Sequence, residues 1–495
     1  MAHSPIYTTA AMRRLEALAA GGTPTLMERA GAAAAEAARR MCGEKSRNIL
    51  VVAGPGNNGG DAFEAAALLK RGFFRVAVVF AGERGRLPKD AQAALAKWEA
   101  AGGTLLADIP RESHFDLVMD GLFGIGLTRP LAGAYAALVE RINALGAPIL
   151  SLDIPSGINA DTGAVMGCAV RATRTLTFIA HKPGLLTLDG PDHCGELSLD
   201  SLGRTQPELL IEPEGRLLDA SILDDILPPR PKNFHKGRAG SVGVLGGAAG
   251  MVGAALIAAR AALKCGAGRV YVGLLTARPP YVDYAQPELM LRKPTALLAK
   301  DLVDVLVVGP GMGAAAPGHK LLGDALRAEA TLVLDADALN IIAANRKLAT
   351  ALAKRARATL LTPHPGEAAR LLGETIAQVQ ADRVSAAKRI AQDFRGFTVL
   401  KGNGSIIAEP SGKFWINPSG NSGMASAGMG DALSGIVAAL CAQGSEPLQA
   451  LLAGTYLHGA AADALAAAGT GPVGITASEV VDSARALLNR PRSSA

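Results

Sequence analysis

Residues 48–61 read Asn48-Ile-Leu-Val-Val-Ala-Gly-Pro-Gly-Asn-Asn-Gly-Gly-Asp61, an apolar run that breaks into a glycine-rich turn and ends on a carboxylate. An uninterrupted run from Ile49 to Ala53 suits a strand buried on both faces, as in a parallel sheet. The turn Gly54-Pro55-Gly56-Asn57-Asn58-Gly59-Gly60-Asp61 reads as a junction into a helix, where bare backbone N–H groups can face an anion. A second junction of this kind, Gly428-Met429-Gly430-Asp431, opens the helical stretch 431–443. Two such turns in opposite halves point to two active sites for phosphate-bearing ligands, and so to a bifunctional enzyme.

A chain of 495 residues exceeds one ordinary core and fits two large domains. Apolar residues are 49% and aromatics only 4%, so alanine and glycine supply much of the bulk and favour helices packed closely on sheets. The net charge of +6 is small for this length and scattered. The densest basic stretch, 230–238, carries Lys232, His235, Lys236 and Arg238. It reads as an exposed linker or a phosphate-steering loop, and no nucleic-acid partner is expected. The cysteines (Cys42, Cys168, Cys194, Cys265, Cys441) show neither a CxxC pair nor zinc-ligand spacing with histidine, which fits reduced thiols in a cytoplasmic protein. Residues 1–9 are polar and lack a signal-peptide apolar stretch. Asp431 and Asp463 interrupt the apolar windows near the C-terminus, so no membrane span is expected.

Residues 10–41 read as helices. Strands are then predicted at 48–53, 75–81, 115–120, 147–153 and 174–180, with helices at 62–71, 91–101 and 134–144 between several of them. That alternation predicts an α/β fold, a mostly parallel sheet with helices on both faces. The pattern fails around 202–238, where prolines 207, 213, 228, 229 and 231 gather with charges. A boundary near 216–220 divides the chain into domains 1–216 and 217–495, with 228–238 leading into the second. A second α/β series follows at 241–245, 269–274, 303–308, 331–334, 359–362 and 397–400. Strands 405–408 and 413–416 bracket the hairpin turn Glu409-Pro410-Ser411-Gly412. The tail 490–495 is expected to be disordered.

Ligands of a parallel α/β sheet collect outside the carboxyl ends of its strands. In the first half those ends offer the glycine loop, Asp120 followed by 121–130, and Asp153. The loop satisfies GxGxxG, with Glu83 available as a ribose-binding acid, although a tight turn without a ligand would satisfy it too. The amides of Asn57 and Asn58 add donors and acceptors that a plain pyrophosphate turn lacks. Asp61 is expected in the first helical turn, held ionised by the helix dipole. His181 and Lys182 either pair with a phosphate or lie exposed.

The stretch 51–61 resembles the glycine-asparagine loop of NAD(P)H-hydrate epimerases. That family's other blocks follow in order: 7–12 with Leu26-Met-Glu-Arg-Ala-Gly31, then 120–130, then Asp153-Ile-Pro-Ser-Gly-Ile-Asn-Ala-Asp-Thr-Gly163. The resemblance implies a Rossmann-like domain. It sets the hydrated dinucleotide against Asn57, Asn58, Gly59, Gly60 and Asp61, against Gly124, Ile125, Gly126, Leu127, Thr128, Arg129 and Pro130, and against Asp153. It also implies potassium near Asn58, Asp120 and Ser156. Ala62 stands where the family has another glycine. Epimerisation at a carbinolamine carbon needs help with loss and return of hydroxide, or with ring opening. Asp153 is the candidate acid–base residue, with a helix cap or a cation ligand as its alternative roles.

In the second half the strand ends carry Gly246-Gly247, Gly309-Pro-Gly-Met-Gly313, Asp335-Ala-Asp-Ala-Leu-Asn340, His364-Pro-Gly-Glu367 and Lys401-Gly-Asn-Gly-Ser405, and then Gly428 to Asp431. Leu433, Ile436, Val437 and Leu440 recur at helical spacing, predicting a helix with one face on the sheet. Its N-terminus would aim the N–H groups of residues 429–431 at developing negative charge. No Walker GxxxxGK[ST] motif occurs. Gly-x-Gly-Asp at a helix start resembles the anion hole of the ribokinase-like superfamily. With His235-Lys-Gly237, 246–255, Pro287-Glu-Leu-Met290, 334–340, 361–367, 401–405 and 421–435 it resembles ADP- or ATP-dependent NAD(P)H-hydrate dehydratase.

That resemblance implies a ribokinase-like domain in which Ala254, Gly311, His364 and Asp431 touch the hydrated dinucleotide. Lys401, Gly402, Asn403, Gly404, Ser405 and Gly430 would touch the adenine nucleotide. Asp431 would be the base, and Mg2+ would be held by phosphates and water. Met429 replaces the family's threonine, removing a hydroxyl from the anion hole. For Asp431 a purely capping role is the alternative, and for His364 a structural hydrogen bond. Together the halves imply repair of NADH and NADPH hydrates. R and S epimers interconvert, and the S epimer is dehydrated at the expense of ADP, giving AMP and phosphate. The alternative is a small-molecule kinase fused to a nucleotide-binding module. Alanine-rich helices and the family together imply a homo-oligomer.

Overall fold

The computed structural model describes residues 4–43, 47–110, 114–224, 226–227 and 229–490. The expectations for residues 1–3, Pro228 and the tail 491–495 lie outside the described residues. The chain divides into two compact units, Ser4–Arg216 and a second from Leu217 onward.

In the first unit the apolar run Asn48–Ala53 lies inside a seven-stranded parallel sheet. Its order is Leu105–Leu106, Arg75–Phe80, Asn48–Ala53, Leu117–Gly121, Ile149–Leu152, Arg174–Phe178 and Glu196–Asp200. The chain starts in the middle, builds to one edge, then crosses back to build the other. The strand order therefore reverses between Asn48–Ala53 and Leu117–Gly121, and the glycine loop leaves the sheet at that crevice. Ile49, Val51 and Ala53 enter one core with helices Leu26–Cys42, Asn57–Arg71 and Lys89–Ala100. Leu50 and Val52 enter the opposite core with Leu138, Val139 and Ile142 of helix Ala134–Ala144. Burial on both faces is why the run tolerates no polar residue.

The predicted strands are present; 48–53 matches in full, and the others differ by one or two residues at their ends. Asp153 stands one residue beyond Ile149–Leu152, its N–H still bonded to the Leu176 carbonyl of the neighbouring strand at 2.7 Å. Residues 10–41 form two helices, Thr9–Ala19 and Leu26–Cys42, the second started by a capping box between Thr25 and Glu28. Pro5 and Ile6 pair antiparallel with Arg216 and Gly215, a short strand within the stretch where the sequence pattern lapses.

The second unit repeats this winding. Its sheet runs Phe414–Asn417, Ser405–Ala408, Phe397–Leu400, Thr359–Leu361, Thr331–Leu334, Val305–Val308, Ser241–Gly246, Arg269–Leu274 and Met290–Arg292. All neighbours are parallel except the hairpin strands Ser405–Ala408 and Phe414–Asn417. The order reverses between Ser241–Gly246 and Val305–Val308, where the glycine turns at 246–247 and 309–313 emerge.

One expectation is corrected here. Helix Met429–Ala442 begins before residue 431 and is buried nearly all round, from Ala432 to Leu440, because helices Val252–Lys264 and Pro447–Ala467 cover what the sheet leaves open. In the basic stretch, Arg230 and Arg238 stack on the ring of Phe234 at 4.8 and 5.7 Å. That aromatic draws two of the cations into local contacts. All five cysteines are free, and among the described residues no helix is long and apolar enough to cross a membrane.

Candidate active sites

The helix Asn57–Arg71 starts inside the glycine run, with Gly56 as an N-cap lacking a side-chain bond. Gly59 folds back so closely that a Cβ there would strike the carbonyl of Gly54. The N–H groups of Asn57, Asn58 and Gly59 find no acceptor among the described residues, leaving a turn of donors open. Asn58 is buried, and among the described residues neither its carbonyl nor its amide nitrogen has a hydrogen-bond partner; the side chain packs toward Gly124. Ala62, the departure from the family, is fully buried and faces Gly121, where the absence of a side chain leaves room for its methyl.

Because the helix starts at Asn57, Asp61 falls in its second turn, and the expectation that the dipole holds it ionised is corrected. Burial pushes its carboxyl well above the usual range, reinforced by Asp153, Glu16 and Glu64 and opposed by Lys182.

Asp120 is fully buried and fully bonded. Ser156 Oγ donates to Oδ1 at 2.6 Å and Leu122 N at 3.2 Å, while Ser151 Oγ and Ser156 N donate to Oδ2 at 2.8 and 2.9 Å. Burial still raises its pKa against these bonds. Asp153 takes a left-handed backbone, φ +64°, a conformation uncommon for side-chain-bearing residues but one that aspartate and asparagine adopt more often than most. Its Oδ1 accepts from Lys182 Nζ and, at 3.3 Å each, from Thr177 Oγ1 and Phe178 N. Lys182 is 1% exposed and donates also to Thr177 Oγ1 and the Phe178 carbonyl, both at 2.9 Å.

The exposed alternative for His181 and Lys182 is thus corrected. Neither is exposed; Lys182 is spent on a carboxylate, and burial pushes His181 down to about 4. Of the stretch 124–130, Gly124 adjoins Asn58, Ile125 is half-buried, and Leu127 turns into the core. Gly126, Thr128, Arg129 and Pro130 are exposed. Sequence reasoning missed Glu16, Ser151 and Thr177. Glu16, on helix Thr9–Ala19, is pushed to about 7 by burial and then by Asp153.

In the second unit, helix Met429–Ala442 is capped by Gly428 at φ +88°, a conformation that favours glycine. The N–H groups of Met429, Gly430 and Asp431 find no acceptor among the described residues. Met429 buries its side chain in the core, so its replacement of threonine leaves a backbone donor in the turn. Lys401 Nζ bonds Asp335 Oδ1 at 2.8 Å and lies 4.0 Å from Glu367 Oε2. Ser434 Oγ donates to the other Asp335 oxygen at 2.9 Å. Burial alone would raise Asp335, but the charge of Lys401 and these bonds hold it below the usual carboxylate range. Burial lifts Asp431 to about 6, with Asp335 adding and Lys401 opposing.

His364 caps helix Pro365–Leu372. Its Nδ1 accepts from Gly366 N at 3.0 Å, so the neutral ring carries its proton on Nε2, 3.3 Å from Glu367 Oε1. Burial and then Lys401 lower its pKa. Ala254 and Gly311 adjoin across the crevice, 3.2 Å apart if Gly311 carried a Cβ. Gly402 and Asn403 are exposed, Gly404 is half-buried, and Ser405 Oγ bonds the backbone of Gly402 to close the loop. The structure thus gathers Asp431, Gly430 and Lys401 around Asp335 and Glu367. It sets Ala254 against Gly311, while residues 402–405 form a separate rim loop. Asp335 stands on the rim legible in the sequence, but its bonds to Lys401 and Ser434 had no sequence signal.

Residues 242–484 match the model of the NAD(P)H-hydrate dehydratase family, and residues 23–184 match that of the YjeF-related protein N-terminus. The chain is similar to the bifunctional NAD(P)H-hydrate repair enzyme of Coxiella burnetii, 39% identical over 98% of this chain and 99% of that one. It is likewise similar to that of Escherichia coli, 39% identical over 94% of this chain and 89% of that one. Among solved structures, an ADP/ATP-dependent NAD(P)H-hydrate dehydratase from Bacillus subtilis is 30% identical, covering 54% of this chain and 96% of that one at a TM-score of 0.47. The chain belongs to the family of bifunctional NAD(P)H-hydrate repair enzymes.

Proposed function

We propose that this chain repairs hydrated NADH and NADPH, residues 1–216 interconverting the R and S hydrates and residues 217–495 dehydrating the S hydrate at the expense of ADP. The observation that supports it most is the open turn of N–H groups at 429–431 beside Asp431, with the Lys401–Asp335 pair beneath it. In this reading the Asp431 carboxylate takes the carbinol proton as the oxygen attacks the terminal phosphorus of ADP, and AMP leaves. The amides of the turn receive charge on the transferring group. The ring nitrogen then expels phosphate, and loss of the neighbouring ring proton restores the dihydronicotinamide. His364, Ala254 and Gly311 would hold the dinucleotide, and 402–405 the adenine nucleotide. Magnesium, carried by phosphates and water, would offset negative charge.

In the first site Asp153 would serve as the acid–base group, and the open N–H groups of residues 57–59 would receive the substrate's phosphates. The unpartnered carbonyl of Asn58, near Gly124, suits a monovalent cation that takes neutral oxygen ligands, with Asp120 and Ser156 beside it. Potassium there would offset the buried carboxylate of Asp120. We place the protein in the cytoplasm as a homo-oligomer. A mixture of both hydrates, incubated with the protein, magnesium and either ADP or ATP, tests the reading and identifies the donor. Full recovery of reduced cofactor supports both activities. Recovery of the S hydrate alone removes the epimerase, and no recovery removes the dehydratase. Asp431→Asn should abolish recovery while epimerisation continues, and Asp153→Asn should slow epimerisation and spare dehydration of the S hydrate.

A further inference from the structure

Beside Asp153, the first site holds a second carboxyl whose surroundings differ in kind. Asp153 is ion-paired: Lys182 Nζ, Thr177 Oγ1 and Phe178 N all meet Oδ1, and Oδ2 has no hydrogen bond among the described residues. Lys182 completes its own three donor positions on Asp153, Thr177 and the Phe178 carbonyl, so the ammonium is locked in place. Asp61, on the helix of the glycine loop, has no hydrogen-bond partner among the described residues and is half-buried. The charged groups acting on it come from several elements: Glu16 from helix Thr9–Ala19, Glu64 from its own helix, Asp153, and Lys182, which is already committed. Arg13 acts on Glu16, and Lys97 bonds Glu64 at 2.5 Å. One carboxyl therefore has a dedicated cation, while the other faces mostly like charge.

We propose that Asp61 and Asp153 are the two catalytic groups of epimerisation, Asp61 as acid and Asp153 Oδ2 as base, and that Lys182 is the positioning residue that assigns these roles. This rests on the reading of the first half as an epimerase. In one direction the proton of Asp61 passes to the carbinol oxygen, and the C–O bond breaks as the ring nitrogen donates its electron pair, releasing water and leaving an iminium. Water then adds to the opposite face, its oxygen forming the new C–O bond and its proton passing to Asp153. The two carboxyls have exchanged protonation states and stand ready for the reverse conversion. No oxidant, nucleotide or metal step is required, and the hydrate oxygen comes from solvent. The acid role falls to Asp61 because no dedicated cation or hydrogen bond among the described residues holds its charge, and burial with like charge keeps its carboxyl well above the ordinary range. The base role falls to Asp153 because its Oδ2 is left open while Lys182 holds Oδ1.

The test uses the full chain with R hydrate in 18O-labelled water without nucleotide, followed by nucleotide to measure dehydration on the same sample. The wild type should place label in the S hydrate. Asp61→Asn should lower epimerisation kcat about 100-fold or more, with dehydration of S hydrate unchanged as the sign that the chain is folded. Lys182→Met should lower kcat with little change in KM, and Lys182→Arg should restore much of it, a split that a purely structural lysine would not produce. S hydrate that retains its original oxygen overturns the proposal, as does an Asp61→Asn chain that epimerises at the wild-type rate. A wild type that dehydrates S hydrate but leaves R hydrate untouched would sink the epimerase reading itself.

Discussion

Lys401 Nζ lies 2.8 Å from Asp335 Oδ1 and only 3.0 Å from where a Cβ of Gly430 would stand, so a buried ion pair sits directly beneath the first turn of helix Met429–Ala442. The lysine brings positive charge to a turn already rich in N–H donors. The aspartate fixes where that charge sits, and Ser434 fixes the aspartate.

Removing the anchor should cost stability as well as activity. Asp335→Ala leaves the half-buried Lys401 without its partner, and since breaking a fully buried pair from one side costs about 3–5 kcal/mol, the loss here should fall below that range. Glu367, 4.0 Å away, recovers part of this. Urea unfolding should show the transition of the second unit moved to lower denaturant, with dehydration lost and epimerisation retained below that transition.

The dehydratase should carry an acid limb near neutrality. Asp431 acts as a base only when ionised, and burial has raised it to about 6. The rate should therefore fall as pH drops through about 6. Lys401 lowers the pKa of Asp431, so Lys401→Met should move the limb to higher pH. A pH profile of kcat/KM for S hydrate measures both, and a limb at the ordinary carboxylate value would contradict the base assignment.

Glu16 should make the first unit less stable as pH rises. Its folded pKa of about 7 lies above the unfolded value near 4.5, so the folded state prefers the neutral acid. The preference is fully present below about 4.5 and is lost as pH rises through about 7, a change of at most about 3 kcal/mol. Glu16→Gln should flatten this dependence, visible as a melting temperature that no longer falls between those pH values.

Asn58 should prove expendable for folding and needed for the site. Both polar atoms of its side chain are buried without partners, a destabilising arrangement of about 1–3 kcal/mol. Asn58→Leu, which keeps the branched four-atom skeleton and removes both polar groups, should leave the melting temperature equal or higher. Epimerisation should drop, along with any dependence of its rate on potassium; an unchanged potassium response would remove Asn58 from the cation site.

The missing strands explain what the sequence pattern can reveal. Leu105–Leu106, Glu196–Asp200 and Met290–Arg292 were not anticipated, and all lie at sheet edges. An edge strand is partly exposed and short, so it needs neither an apolar run nor clear alternation. Interior strands such as Asn48–Ala53 and Arg269–Leu274 are buried on both sides and were legible to the residue. Asp61 fared differently. The sequence placed it at the right junction, but one turn of helix begun earlier separated it from the dipole, and neighbours remote in sequence changed its charge preference.

By itself the sequence determined the two α/β halves, the glycine turns at their strand ends, and the aspartates those turns present. All of these follow from local geometry, from runs that must be buried and from backbone that must bend. Tertiary structure alone decided which charges meet: Lys182 with Asp153, Lys401 with Asp335, and Glu16 beside the first site. Electrostatic partners are chosen by distance in space and by exclusion of water, and neither leaves a periodic trace along the chain.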